Sequence, residues 1–239
     1  MYGRFRPRPE WNTSAVDNWG AALYGEPCRE CGFTWSAGLD ATISLLRDIP
    51  DSIDDLVKDA TGKEGLPDLG WNVSGYIAHM TDNTRIWSER LIAVARGADA
   101  RVVPYDPDLL AEARQYNEVA LQGATWSLRV AVATWLDAIE EARRAEIVML
   151  HSERGAMELF DVVASNAHDA VHHRWDVTRV LQQRLWTFSR PREGLEGPSA
   201  ACAGVSSCAH PCRSSSCLPM PFPPSRWRTA PRSPRADET

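Results

Sequence analysis

Apolar residues return every three or four positions in four separate stretches of this chain, and nothing else in it limits the fold as strongly. The first stretch covers residues 36–60, where Leu39, Ile43, Leu46, Ile49, Ile53, Leu56 and Val57 form a helical stripe and Pro50 marks a kink or restart. The segment TGKEGLPDLG then breaks the pattern. A second helix is predicted from Trp71 to Arg96, with Val73, Ile77, Met80, Trp87, Leu91, Val94 and Ala95 on its inner face. Asn72 or Asp68 is placed to cap it and Gly97 to end it. After the connector ADARVVPYDPD, a third helix is predicted over Leu109 to Ala145, with Gly123 as its weak point. A fourth runs from Ala156 to Phe188. No segment shows a convincing strand alternation, so the reading is an all-α four-helix bundle.

Three regions follow. Residues 1–35, rich in Gly, Pro and Trp and carrying a Cys-x-x-Cys, read as an irregular N-terminal arm. Residues 36–189 form the bundle domain. Residues 190–239 are dominated by Pro, Ser, Arg, Ala and Cys, with too little large aliphatic surface to offset the entropy of ordering, and are expected to be disordered. Out-of-frame translation of GC-rich DNA produces a similar composition.

The net charge of −6 conceals an asymmetry. From Arg190 onward seven arginines face four acids, a balance of +3 that leaves −9 on residues 1–189. An acidic body lacks the clustered Lys and Arg that neutralise phosphates, which argues against nucleic acid as a partner. No apolar run approaches the roughly 18 residues of a membrane span, so no membrane partner is expected. The opening MYGRFRPRPEW is basic but has no apolar h-region, and the expected compartment is the cytoplasm, where thiols stay reduced.

Histidines carry the chemistry. Of the six, His79 lies on the second helix, and His168, His172 and His173 crowd the fourth in NAHDAVHHRWDV; His151 and His210 stand apart. Side chains at i and i+4 share a helix face and can hold one metal ion from successive turns. His168 with His172 forms one such pair and Asp169 with His173 another, and spacing does not choose between them. At about 100° per residue, Leu159, Val162, Val163, Ala170, Val177, Val180 and Leu181 define the core side of the helix. Asp169 and His173 fall at the edge of that arc, while His168 and His172 point nearly opposite, with Asp161 and Arg179. Ligands inside a bundle must face other helices, so the wheel favours Asp169 and His173, with His79 as the third ligand. A solvated polar face is the plain alternative for any single histidine, but three histidines and two aspartates within nine residues favour a site. Asp82, Asn83 and Arg85 can reach polar substrate groups, although a solvated helix face is their plainer reading.

These segments resemble the DinB-like superfamily, in particular its branch containing mycothiol-dependent maleylpyruvate isomerase. There a second-helix motif opens on Trp and reaches a metal-binding His, as WNVSGYIAHMTDN does with Trp71 and His79. The fourth helix of the family places a ligand four residues before a second His, which is followed after two residues by Gln or Asp. His173, Arg174, Trp175 and Asp176 match that register and make Asp169 the partner. Family members use His or Glu at that position, so Asp169 is a departure. CRECGFTW, YDPDLLAEARQYN and HSERGAMELFDVV are also family-like, and the resemblance spans residues 28–188. It implies an up-down-down-up bundle with a long connection between its second and third helices.

Three protein ligands leave positions open, as in catalytic metal sites. Neutral imidazoles and a carboxylate suit Zn²⁺, with Ni²⁺, Fe²⁺ and Mn²⁺ as alternatives. The resemblance implies a low-molecular-weight thiol, of the mycothiol or bacillithiol type, activated for S-transfer or isomerisation. Its partners would be that thiol and an electrophilic small molecule; a homodimer is compatible with this reading. Asp176 is placed to orient His173. The competing functions are a non-catalytic metal-binding stress or regulatory protein and a metal-dependent hydrolase. Cys28 and Cys31 form half of a zinc knuckle, which needs a second pair of ligands. The tail offers Cys202, Cys208, His210, Cys212 and Cys217 without regular spacing, and no strand precedes the pair as in thioredoxin-like redox sites. Structural, zinc-binding and redox roles all stay open for it.

Overall fold

A computed structural model describes residues 19–188. The expected disordered tail at 190–239, with its cysteines and His210, lies outside the described residues, as do residues 1–18 of the arm. Four long helices form the bundle: α2 (Leu39–Val57), α3 (Val73–Ala95), α5 (Leu121–Ala145) and α6 (Leu159–Phe188). Two shorter helices accompany them, α1 (Gly20–Tyr24) in the arm and α4 (Pro107–Arg114) in the connection between α3 and α5.

Contacts between helix ends set the directions. The Ser74 N–H, at the start of α3, donates to the Gly62 carbonyl, and Gly62 lies against Leu121 at the start of α5. At the other end of the same two helices Arg96 pairs with Glu141 at 2.8 Å. Helices α3 and α5 are therefore parallel, which only a long crossover permits, and residues 96–120 supply it. Arg143, late in α5, reaches Asp40, early in α2, at 2.7 Å. Asn83 and Asn166 meet midway along α3 and near the start of α6, while Tyr76 lies beside His173 further along α6, so α6 runs against α3. The topology is up-down-down-up. Gly62 has φ +87°, and a Cβ there would collide with the Ser74 hydroxyl and crowd Leu121, so this junction requires glycine.

The core follows the predicted stripes. Ile53, Ile77, Met80, Leu91, Trp135, Ile139, Val162 and Val163 are completely or almost completely buried between the four helices. Asn72, one of the two expected caps, accepts from the Gly75 N–H at 2.8 Å and starts α3. Pro50 neither ends nor restarts α2, which continues to Val57.

Two expectations need correction. The third helix is not continuous from Leu109: it breaks after Arg114, where Gln115 adopts a left-handed φ of 50°, and Gly123 sits undisturbed inside α5. Tertiary contacts drive the break. Tyr116 turns into the core to donate its hydroxyl to Asp82 at 2.8 Å, and Asn117 accepts the Asn72 N–H at 2.9 Å, tying the break to the start of α3. Strands also occur, although none was expected. β1 (Arg101–Val102) pairs in parallel with β2 (Val148–His151), which pairs antiparallel with β3 (Gly155–Glu158) in the register Val148↔Glu158 to His151↔Gly155. Strands of two to four residues are too short to display a period of two in sequence. Chain from β3 passes directly into α6, so the helix start expected near Ala156 moves to Leu159.

The arm is ordered against the bundle. Cys28, Phe33 and Trp35 are buried in the main core cluster, and Glu26 accepts hydrogen bonds from the Trp35 N–H at 2.9 Å and the Ser36 hydroxyl at 3.1 Å. Among the described residues, no helix is long and apolar enough to cross a membrane.

Candidate metal centre

The middle of α3 faces the middle of α6, and that crossing brings His79, Asp169 and His173 together. Asp169 Oδ1 lies 3.6 Å from His79 Nε2 and 3.6 Å from His173 Nε2. The two imidazoles stand nearly perpendicular, at 87°, with ring centroids 4.8 Å apart. A tetrahedral ion with bonds of about 2.0–2.2 Å holds its donors about 3.4 Å apart. Asp169 stands close to that spacing from both histidines, all three donor atoms lie within 4.8 Å of one another, and two imidazoles with a carboxylate are a suitable donor set for a borderline divalent ion.

Each donor is held by neighbours. Trp71, at the turn before α3, stacks on His79 with centroids 4.8 Å apart and planes 28° from parallel. His173 Nδ1 lies 3.1 Å from Asp176 Oδ2, so a proton on Nδ1 leaves the Nε2 lone pair facing Asp169 and His79. One turn of helix is enough to make this contact, and Asp176 is in turn braced by Arg179 at 3.5 Å. Asn83 donates its amide to Asp169 Oδ2 at 3.0 Å and accepts the Tyr105 hydroxyl at 2.9 Å. Asn83 is thus buried behind the carboxylate rather than on a solvated face. Asp82 is also buried, and binds Tyr116, Arg114 and Arg85. Of Asp82, Asn83 and Arg85, only Arg85 is exposed.

Electrostatics favour positive charge at this point. Burial alone would raise the Asp169 carboxyl, yet His173 and His79 hold it well below the usual carboxylate range. Burial would lower His173, yet Asp169 and Asp176 push it up to about 9. A carboxylate that stays ionised in the interior is paired with cationic groups, and a divalent cation can take the place of their protons.

Immediately before Asp169 and His173 along α6, His168 and His172 are buried as well, at 2% and 0% exposure. Their helical angle is the one the wheel gives, but the polar face expected there does not reach solvent, because the arm lies over it. Tyr24 and Trp35 each stack near His168 with centroids at 4.6 Å. Burial pushes His168 down to about 3 and His172 down to about 4, so both rings are neutral at neutral pH. His151, on β2, sits beside Trp87 and joins neither group.

A cavity of about 170 Å³ reaches Asp169 from the arm side. Its walls include Trp19, Tyr24 and Trp35 of the arm and Asn166, and Arg154 from the β2–β3 turn enters it, donating to the Ser165 hydroxyl at 2.6 Å. Besides Asp169, its polar lining comes from Asn83, Glu153, Arg154, Ser165, Asn166 and His168. Arg154 and Asn166 were not singled out from the sequence: an arginine in a short turn and an asparagine in a helix carry no local signal until tertiary structure turns them inward.

A four-helix bundle with two histidines and one carboxylate converging between two of its helices is the class that fold and site define. No family model matches the chain, and a search of curated proteins finds no match. Among solved structures it is similar to YfiT from Bacillus subtilis, described as "a probable metal-dependent hydrolase with an unusual four-helix bundle topology". The two share 17% identity and superpose with a TM-score of 0.54 over 62% of this chain and 87% of that one. At this identity the likeness is one of fold.

Proposed function

We propose that this chain is a DinB-like, divalent-metal-dependent enzyme with His79, Asp169 and His173 as ligands, acting as a thiol S-transferase or isomerase with a mycothiol- or bacillithiol-type cosubstrate. The observation that carries the reading is the convergence of three donors, with Asp169 3.6 Å from each histidine and all three within 4.8 Å of one another, beside a cavity that reaches one of them. A bound divalent ion, zinc first among the candidates, would lower the pKa of a thiol so that the thiolate nucleophile is present at neutral pH. Asp176 keeps His173 in the tautomer that offers Nε2, and Asn83 fixes the free oxygen of Asp169. Arg154 provides a cation for an anionic group on the substrate or cosubstrate, and Trp19, Trp35 and Tyr24 exclude water around it. This reading places the protein in the cytoplasm, where reduced thiols are abundant, with small molecules as its partners and a homodimer as a compatible assembly.

The test is metal analysis of the purified protein beside His79→Ala and His173→Ala, together with turnover of an electrophile with and without the thiol. Each variant is expected to lose one equivalent of metal and the thiol-dependent turnover. Full metal content in both variants sinks the ligand assignment. Turnover with water alone would favour hydrolysis, the second reading, which the fold likeness to YfiT supports. Metal binding without turnover would leave a non-catalytic stress or regulatory role.

A further inference from the structure

We propose that Cys28, Cys31, His168 and His172 form a second, structural zinc site that clamps the N-terminal arm onto α6. One donor atom from each of these four side chains lies within 4.8 Å of the others. The arm supplies two of them from a tight loop: the Cys28 N–H donates to the Phe33 carbonyl at 2.8 Å, the Gly32 N–H to the Cys28 carbonyl at 2.9 Å, and Gly32 takes a left-handed φ of 73°. That loop returns both sulfurs to the same side. Helix α6 supplies the other two from successive turns, and His168 Nε2 already stands 3.3 Å from Cys28 Sγ. Glu30, between the cysteines, brings its carboxylate to 3.2 Å from His172 Nε2 and ties the arm to α6 a second time.

The surroundings suit a structural site. Cys28, His168 and His172 are buried and Cys31 is half-buried, and Phe33, Trp35 and Tyr24 pack around the His168 ring, which also borders the cavity. Two thiolates and two neutral imidazoles around Zn²⁺ sum to zero charge, the state that costs least to bury. A redox pair would account for the cysteines but would leave the two converging histidines without a purpose. The cysteines are also linked to α6 across 140 residues of chain from Cys28 to His168, so a bond here restrains a large loop. The same clamp positions Trp19, Tyr24 and Trp35, which wall the cavity leading to Asp169.

The deciding experiment is zinc and cobalt loading of the full chain. Zinc content is expected to be two equivalents in the wild type and one in Cys28→Ser/Cys31→Ser. His79→Ala should also hold one, so the two sites fail independently. A variant with Cys202, Cys208, Cys212 and Cys217 changed to Ser is expected to keep both equivalents. Cobalt substitution should give a thiolate-to-cobalt charge-transfer band in the wild type and in His79→Ala, and none in the double cysteine variant. If that variant fails to fold, the wild-type cobalt spectrum decides alone: absence of the thiolate band overturns the proposal. So does a Cys28–Cys31 disulfide in protein purified without reductant, or loss of the band on removing only the tail cysteines.

Discussion

Two adjoining faces of α6 gather side chains of the types that ligate metals, and they differ in how they are covered. Asp169 and His173 meet His79 across the bundle, beside a cavity, with a carboxylate whose charge is kept in the interior. His168 and His172 meet two cysteines of the arm under a lid of aromatic rings. Three donors beside a cavity suit chemistry; two cysteines and two histidines, all but Cys31 buried, suit a clamp. The contrast shows that one helix can present two separate donor sets when a helical bundle lines one of its faces and an irregular arm covers the other.

The sharpest way to break this contrast is His79→Ala. It should reduce turnover by more than the roughly 10–100-fold that loss of an outer partner costs, while the melting temperature stays close to that of wild type. A large fall in melting temperature with little change in turnover would reverse the roles of the two faces. Asp176→Asn removes the carboxylate behind His173 and should weaken metal binding at the first site about 10–100-fold. The cysteine-bearing site should be unaffected, as metal titrations of both variants would reveal. Arg154→Met tests the cavity: KM for an anionic substrate should rise at least about tenfold, in line with loss of a charged hydrogen bond, with kcat little changed. An unaltered KM would mean that substrate does not approach by the arm side.

The smallest effect concerns the buried histidine that joins neither face. Burial, with Arg154 and Arg90 nearby, pushes His151 from its ordinary 6.5 down to about 4. Its folded value lies below the unfolded one, so the unfolded chain takes up the proton first. The stability that neutral His151 contributes is present above about 6.5 and is lost as pH falls toward 4. In His151→Gln the decline of stability with acidification should be shallower over that window. Equal slopes by chemical denaturation would show that the acid sensitivity belongs to the other histidines.

The long helices were legible because their periods are local. Seven apolar residues spaced over 36–60 suffice to place α2, and the same holds for the inner face of α3. The choice of Asp169 and His173 as the pair facing α3 was legible for the same reason, since an angle around a helix is a property of sequence alone. Tyr116 and Asn117 were not legible as helix breakers, because their partners Asp82 and Asn72 are distant in sequence. Strands β1 to β3 carried no usable pattern at their lengths.

Sequence by itself determined four helical stripes, the crowding of histidines on the fourth and the angular separation of its two histidine-bearing faces, because each depends on residues within a few turns of one another. Tertiary structure alone decided what covers those faces. A helical wheel separates apolar from polar directions, but it does not reveal that a cysteine-bearing arm 140 residues upstream folds over the polar one. Burial is a property of the neighbours a side chain acquires, and those neighbours come from the far end of the chain.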